Sequence, residues 1–335
     1  QPNLALGYIE GIENWRRGAG YADLAMYYAR CRDNQKAETF LAKANQIAEE
    51  GMLQETSSGR EDQEWRSDHI RAKIAQTYTM LGKLSDAGQF EADLNESEIG
   101  KTAIIRAEIS DASTFDQQIA DMNELAQQKH LETVKNAVNA YSELFDRFYA
   151  DFQKRRQVEQ KVLESSRKLP AVFGIHTYRD MATSAIEHGD PNKAIELLDA
   201  AERMIEGHRW DLEDLIPNAV NLLKVRFQAG QAEKVKSAAD ALWQKYNQDR
   251  HKIVNIFRAG AIRPLAELYQ LMGDSAMALK VYKQALQEGI ENPNSRPRAE
   301  DLSATLCSMA QSGFEPDTEV WTLIYTIHQG LGQPW

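Results

Sequence analysis

Apolar residues recur along this chain at steps of three and four, the spacing that holds side chains on one face of an α-helix. The stretch LAELYQLMGDSAMALKVYKQALQEG, residues 265–289, carries that pattern twice, interrupted at Met272-Gly273-Asp274. It predicts two helices hinged at the glycine. Small residues Ala266, Ala278 and Ala285 fall where the helices would touch, and rings Tyr269 and Tyr282 fall where the space beside the contact needs filling. Three more stretches, 24–44, 74–94 and 181–201, follow the same order. Each opens on a large apolar residue and an alanine, Leu24-Ala25, Ile74-Ala75 and Met181-Ala182, matching Leu265-Ala266. An aromatic stands three residues after the alanine at Tyr28, Tyr78 and Tyr269, with Ala185 in its place in the remaining copy. A turn with Gly82, Gly189 or Gly273 comes next, replaced by Arg32-Asp33 in the first copy. A second alanine then follows, at Ala37, Ala87, Ala194 or Ala278.

The pattern has a mechanical cause. Two antiparallel helices approach closely only where side chains are small, and bulky residues one turn away fill the gap. Glycine in the turn supplies the left-handed conformation that ends a helix at little cost, and Asp190 or Asp274 behind it can cap the next helix. This order of residues resembles the tetratricopeptide repeat. The resemblance implies an all-α fold, a right-handed superhelical solenoid of antiparallel helix pairs, in a single domain over 1–335. Repeats are expected at about 19–50, 65–94, 175–206, 216–246 and 259–289. The copy at 216–246 is the most degenerate and keeps Leu222-Leu223, Ala229-Gly230 and Val235. Copies lie roughly 40 to 50 residues apart instead of the family's ~34, and the closing proline is mostly missing, which implies a divergent member with longer helices or connections.

Residues 102–169 lose the repeat order but keep helical periodicity. Val134, Val138, Tyr141, Phe145, Phe148 and Phe152 step by four and three, which predicts one aromatic seam along a helix of several turns. That seam is expected to pack inside the stack or, as the alternative, to meet a second copy. Lys154-Arg155-Arg156 beyond it reads as a solvated face. After Pro316, Asp317 and Thr318 start a helix over 317–329 that Val320, Trp321, Leu323, Ile324, Tyr325 and Ile327 make apolar nearly all round. The last helix of a solenoid normally turns a polar face to water. This one is therefore expected to fold back on its own chain or, second, to associate with another copy. Ser57-Ser58-Gly59-Arg60-Glu61-Asp62 and the run ENPNSRPR at 291–298 read as exposed loops.

Composition narrows the class. The chain has 335 residues, 42% hydrophobic and 27% charged, the balance of a soluble globular protein of one large or two ordinary domains. No run approaches the roughly 18 apolar residues of a membrane span. Fifty acidic against 39 basic side chains give a formal charge of -11, which opposes non-specific binding to nucleic acid or anionic lipid. Cys31 and Cys307, at opposite ends of the chain, make no disulfide framework and no Cys-x-x-Cys site, and both are expected to be buried small hydrophobes. The row begins at Gln1. That start fits either a leader removed from an exported, periplasmic protein or a trimmed chain, and it leaves the cytoplasm equally open.

Catalytic motifs are scarce. Gly100-Lys101-Thr102 matches the tail of a phosphate-binding loop, but Asn95 stands where the first glycine is required and no strand leads in. No His-Glu-x-x-His helix, nucleophile elbow or EF-hand loop is present. His188 and His208 read as structural or exposed. No cofactor, metal or catalytic residue is called.

The resemblance marks instead the first helix of each pair as the lining of a concave wall. Its inward side chains are expected at Met26 and Arg30, His69 and Gln76, Arg179 and Thr183, Lys224 and Phe227, and Arg263 and Glu267. Among them Arg30, Arg179, Lys224 and Arg263 offer charge-assisted bonds to a carboxylate or acidic segment. The Lys, Asn and Arg set of a carboxylate clamp does not assemble. The expectation is a non-enzymatic scaffold for a protein or peptide. The alternative is a ligand-sensing module with an enclosed pocket walled by the 134–152 seam, and an all-helical enzyme comes third.

Overall fold

A computed structural model describes residues 1–58, 64–92 and 94–332. The structure is 79% helix, with seventeen helices and no strand among the described residues, so the chain is all-α. Its contacts gather into two compact units, Gln1–Leu169 and Pro170–Trp335.

The second unit is the more regular. Its helices are α10 (Ala171–Glu187), α11 (Pro191–Glu206), α12 (Leu212–Gln228), α13 (Ala232–Asp249), α14 (Asn255–Leu271), α15 (Ser275–Ile290), α16 (Ser295–Gln311) and α17 (Thr318–Gly330). They pair in sequence as hairpins. The first unit opens with α1 (Pro2–Glu10), then holds α2 (Arg16–Arg30) with α3 (Asn34–Ser58) and α4 (Glu64–Met80) with α5 (Leu84–Glu91). Four helices follow: α6 (Lys101–Glu108), α7 (Phe115–Leu125), α8 (Leu131–Arg147) and α9 (Phe152–Ser166).

One turn closes six of these hairpins. Gly82, Gly189, Gly230, Gly273 and Gly313 hold φ between 66° and 86°, and Arg32 adopts 62° at the equivalent point of the first copy. In each, the amide one residue later donates back to the carbonyl four residues before the turn residue. Asp33 reaches Tyr28 at 2.9 Å, Lys83 Tyr78 at 2.9 Å, Asp190 Ala185 at 2.8 Å, Gln231 Arg226 at 3.2 Å, Asp274 Tyr269 at 2.9 Å and Phe314 Met309 at 2.9 Å. That is the bond by which a helix satisfies its last carbonyls before reversing. The following helix is then capped by carboxylates: Asp190 accepts from Lys193 N, Asp274 from Met277 N and Asp317 from Val320 N. The α16–α17 hairpin shares the turn although its sequence lacks the alanine pair, so it is one more unit than the residue pattern predicts.

The alanines lie where close packing requires them. Ala25, Ala75, Ala182 and Ala266, and Ala37, Ala87, Ala194 and Ala278, are all fully buried. The core of the second unit runs from Ile216 through Tyr269 and Tyr282 to Ile327, and that of the first hairpins from Ala19 through Phe40 to Ile74.

Within each unit the first helices lie side by side. In the first, Gly18 of α2 faces Ile70 of α4, and Asp23 pairs with Lys73. His69 of α4 meets Glu98, while Gln76 meets the Lys101 carbonyl at the head of α6. Asn136 and Arg147 of α8 bond the carbonyls of Ile99 and Ser110, which flank α6. In the second unit, Lys224 of α12 pairs with Glu267 of α14, and Arg263 and Glu267 meet Thr305 and Ser308 of α16. Residue numbers rise together on both sides of these contacts, so the first helices run parallel.

Several expectations need correction. Cys31 and Cys307 are exposed, because Cys31 caps the end of α2 and Cys307 lies on a side of α16 that is not packed in the core. The loop at 291–298 ends early: α16 begins at Ser295 and takes Pro297 in its first turn, where no amide is needed for the helix ladder. Ser57 and Ser58 finish α3, and residues 59–62 of that expected loop lie outside the described residues. The 134–152 seam is not one helix, since α8 ends at Arg147 and α9 starts at Phe152. Val134, Val138, Tyr141 and Phe145 are buried within the first unit, leaving Phe152 exposed. The basic cluster is less solvated than its charge suggests: Lys154 lies over the rings of Phe115 and Phe148, and Arg155 over Tyr149.

Candidate functional site

Counting back six residues from each left-handed turn residue reaches one side chain per hairpin: Met26, Gln76, Thr183, Lys224, Glu267 and Cys307. The first five are half-buried and Cys307 is exposed. The position is thus neither core nor fully solvated, as expected for side chains that line the open face of the first helices.

In the second unit two of these positions, Lys224 and Glu267, join a polar ladder. The Lys224 ammonium pairs with one oxygen of Glu267, and the Ser308 hydroxyl donates to the other at 2.5 Å. Behind them the Tyr282 hydroxyl stands 3.0 Å from Ser308 Oγ and 2.9 Å from Ser312 Oγ. Arg263 donates from Nε to Thr305 at 3.2 Å and holds Asp301 at 3.4 Å. Burial raises the Asp301 carboxyl above the ordinary aspartate range against the pull of Arg263, and burial likewise lowers the Arg263 guanidinium. Arg179 bonds its neighbour Asp180 at 2.7 Å, and Thr183 donates to the Arg179 carbonyl within α10. Phe227 is packed against the core instead of standing free on the wall.

In the first unit, Arg30 reaches from α2 to Glu108 of α6 at 2.6 Å. His69 Nδ1 lies 3.3 Å from the buried Glu98, to which Lys101 also donates at 2.5 Å. Burial pushes the Glu98 carboxyl up, but the bonds from His69 and Lys101 outweigh it and leave it below its ordinary value. Gln76 donates to the Lys101 carbonyl at 3.1 Å. The Gly100-Lys101-Thr102 run starts α6 with Gly100 at φ 85°, and its Lys and Thr side chains bind Glu98 and Glu91.

Each cation expected to seize an acidic ligand therefore already holds a carboxylate of its own chain. Arg30, Arg179 and Lys224 do so with part of each pair in solvent, where such a pair contributes about 0–1 kcal/mol, so a ligand can exchange for it at low cost. Arg263 is more enclosed and serves to join α14 to α16. The partners Asp23, Lys73, Glu108, Asp301 and Ser308 escape sequence reasoning because each sits on a neighbouring hairpin. Cys307 was findable by the six-residue count.

Arg226 was also missed. It is fully buried at the register position where three other copies carry tyrosine, and it holds Asp199 at 2.7 Å, Glu202 at 2.8 Å and Gln231 at 2.5 Å. It locks α12 to α11 of the preceding hairpin.

Two clefts lie away from the matched row. A cleft of about 670 Å³ is bordered by Glu96, Ile99, Leu125 and His130, and one of about 420 Å³ by Arg209, Trp210, Lys245 and Lys252. The buried seam of Tyr141 and Phe145 lines neither. Among the described residues no group of three or more His, Cys, Asp or Glu side chains is placed to hold a metal ion, and no helix is long and apolar enough to cross a membrane. No family model matches the chain. No curated protein matches it either.

Proposed function

We propose that the chain is a divergent tetratricopeptide-like protein, its hairpins stacked as a right-handed superhelical solenoid, and that it is a non-enzymatic scaffold for an extended peptide or protein segment. The observation that carries this reading is the matched position six residues before each turn, where the first helices each offer one side chain, half-buried at five positions and exposed at Cys307. Packed helices stand roughly 8–10 Å apart. An extended peptide advances about 3.3 Å per residue, so such a row meets every third residue of a segment laid across the helices. Polar contacts on the row would supply specificity, and the rigid core behind it would limit the ordering cost of binding.

The test uses peptides selected from a random displayed library by the full chain. Thr183→Arg and Cys307→Arg, which fill the wall without touching the core, should weaken the selected peptides at least tenfold. Lys280→Ala, on the second helix α15, should leave affinity unchanged. Selection of no peptide, or equal binding by all three variants, contradicts the proposal.

A further inference from the structure

Two first helices of the second unit carry a proline where the helix ladder has no use for one. Pro217 stands inside α12 and Pro264 inside α14. In a regular helix each carbonyl accepts from the amide four residues on, and proline has no amide to give. The carbonyls of Glu213 and Gly260 therefore lose the donor that completes the ladder. Proline inside a helix costs more than any other residue. Pro191 and Pro297 differ, because they sit in the first turns of α11 and α16, where no amide is needed. Residues three, four and seven apart share a helix face. Gly260 and Pro264 thus lie on the side of Glu267, and Glu213 and Pro217 on the side of Lys224. Pro217 and Gly260 also stand at one level, thirteen residues before Gly230 and Gly273. All four residues are half-buried, and a side chain placed at Gly260 would meet nothing. The backbone is bare on the face that holds the matched row.

We propose that the freed carbonyls of Gly260 and Glu213 each accept a hydrogen bond from a main-chain amide of an extended peptide, a role that rests on this face binding peptides at all. A carbonyl only accepts, so its ligand must bring N–H groups, and an extended segment brings one per residue at regular spacing. A helix with its ladder complete offers no such acceptor in its interior, and a wall of that kind holds a peptide by side chains alone. Neighbouring helices stand roughly 8–10 Å apart, and the two carbonyls differ in level by about one turn, ~5.4 Å. An extended chain spans that interval in about three residues. Bonds to the main chain hold a segment whatever its sequence, and side chains of the row, Lys224 and Glu267 among them, then select. Positions that break a local rule at a cost to stability are where function is expected.

Peptides selected from the displayed library by the full chain are the probe. Pro264→Ala and Pro217→Ala each return an amide to the ladder. Each should raise the denaturation midpoint yet weaken the selected peptides about fivefold, the scale of one hydrogen bond. Pro191→Ala, in the first turn of a second helix, should leave affinity unchanged. Replacing peptide amides by esters one at a time removes single N–H donors. One ester should cost about fivefold against the unaltered chain and under about twofold against Pro264→Ala, and a second ester should behave likewise with Pro217→Ala. Affinity that ignores both prolines overturns the carbonyl sites and leaves the peptide wall standing. Weaker binding by Pro264→Ala with every ester effect kept assigns the proline to the shape of α14 and overturns its carbonyl site too. Selection of no peptide removes the wall and the carbonyl sites together.

Discussion

Arg32 shows how one residue reports on a repeat. It takes φ 62° where the five equivalent turn residues are glycine. A side chain in the left-handed region costs roughly 1–2 kcal/mol, partly offset because glycine loses more freedom on folding. Gly273→Ala should therefore destabilise by about 1 kcal/mol, since a Cβ there meets nothing and only the backbone pays. Arg32→Gly should be neutral or stabilising by up to about 1 kcal/mol. Chemical denaturation of both variants checks the pair, and a large loss in Arg32→Gly would contradict the shared turn. Glu288 makes the residue-scale case for charge. Its carboxylate is fully buried on α15 with Arg250 at 3.0 Å and Gln284 at 2.6 Å. Burial raises its carboxyl, yet the bonds from Arg250 and Gln284 prevail and its folded value lies below the ordinary one. A lowered carboxyl stabilises the fold above the unfolded value, near ~4.3 for glutamate, and loses that contribution as pH falls through the folded value. Glu288→Gln should thus lower the melting temperature at pH 7, with the gap to the unaltered chain closing as pH is taken below about 4. A gap that persists unchanged into acid would contradict it.

Elements were legible to different degrees. The hairpins of α2–α3, α4–α5, α10–α11 and α14–α15 follow from alanine, aromatic and glycine in fixed order, because those residues act locally on contact and turn. α12–α13 was harder, since Leu223 replaces the alanine and Arg226 the aromatic. Arg226 is tolerated there only because Asp199 and Glu202 of α11 answer it across the hairpin boundary. A long-range pair of that kind leaves no periodic trace. Removing one partner of a buried ion cluster costs about 3–5 kcal/mol, but Asp199 and Glu202 keep part of their exposure, so the lower end applies. Arg226→Ala should destabilise by about 3 kcal/mol, and Arg226→Lys should recover only part of it for want of the planar fork. Denaturant titration monitored by helicity reads both. An effect under about 0.5 kcal/mol, the scale of an ordinary surface change, would remove Arg226 from its locking role. The α16–α17 hairpin was hidden for a different reason: its turn carries the same backbone geometry through Gly313, but Leu306 and Thr318 stand where alanines mark the others.

At the scale of the whole molecule, the ten side chains expected to face inward fall on α2, α4, α10, α12 and α14, but their partners were not legible. Asp23 with Lys73, and Lys224 with Glu267, each join residues the same distance ahead of their own turns on neighbouring hairpins. Such pairs arise only if the first helices are parallel and in register, which is the arrangement that makes a row of side chains into a surface. Cysteine cross-linking measures that arrangement directly, in a background with Cys31→Ser and Cys307→Ser. A short bis-maleimide should join Lys224→Cys to Glu267→Cys, and Asp23→Cys to Lys73→Cys, within the monomer and in high yield. Lys224→Cys with Lys280→Cys should link poorly. Failure of both in-register pairs, or equal yield from the control, would contradict the stacking on which the proposed binding wall depends.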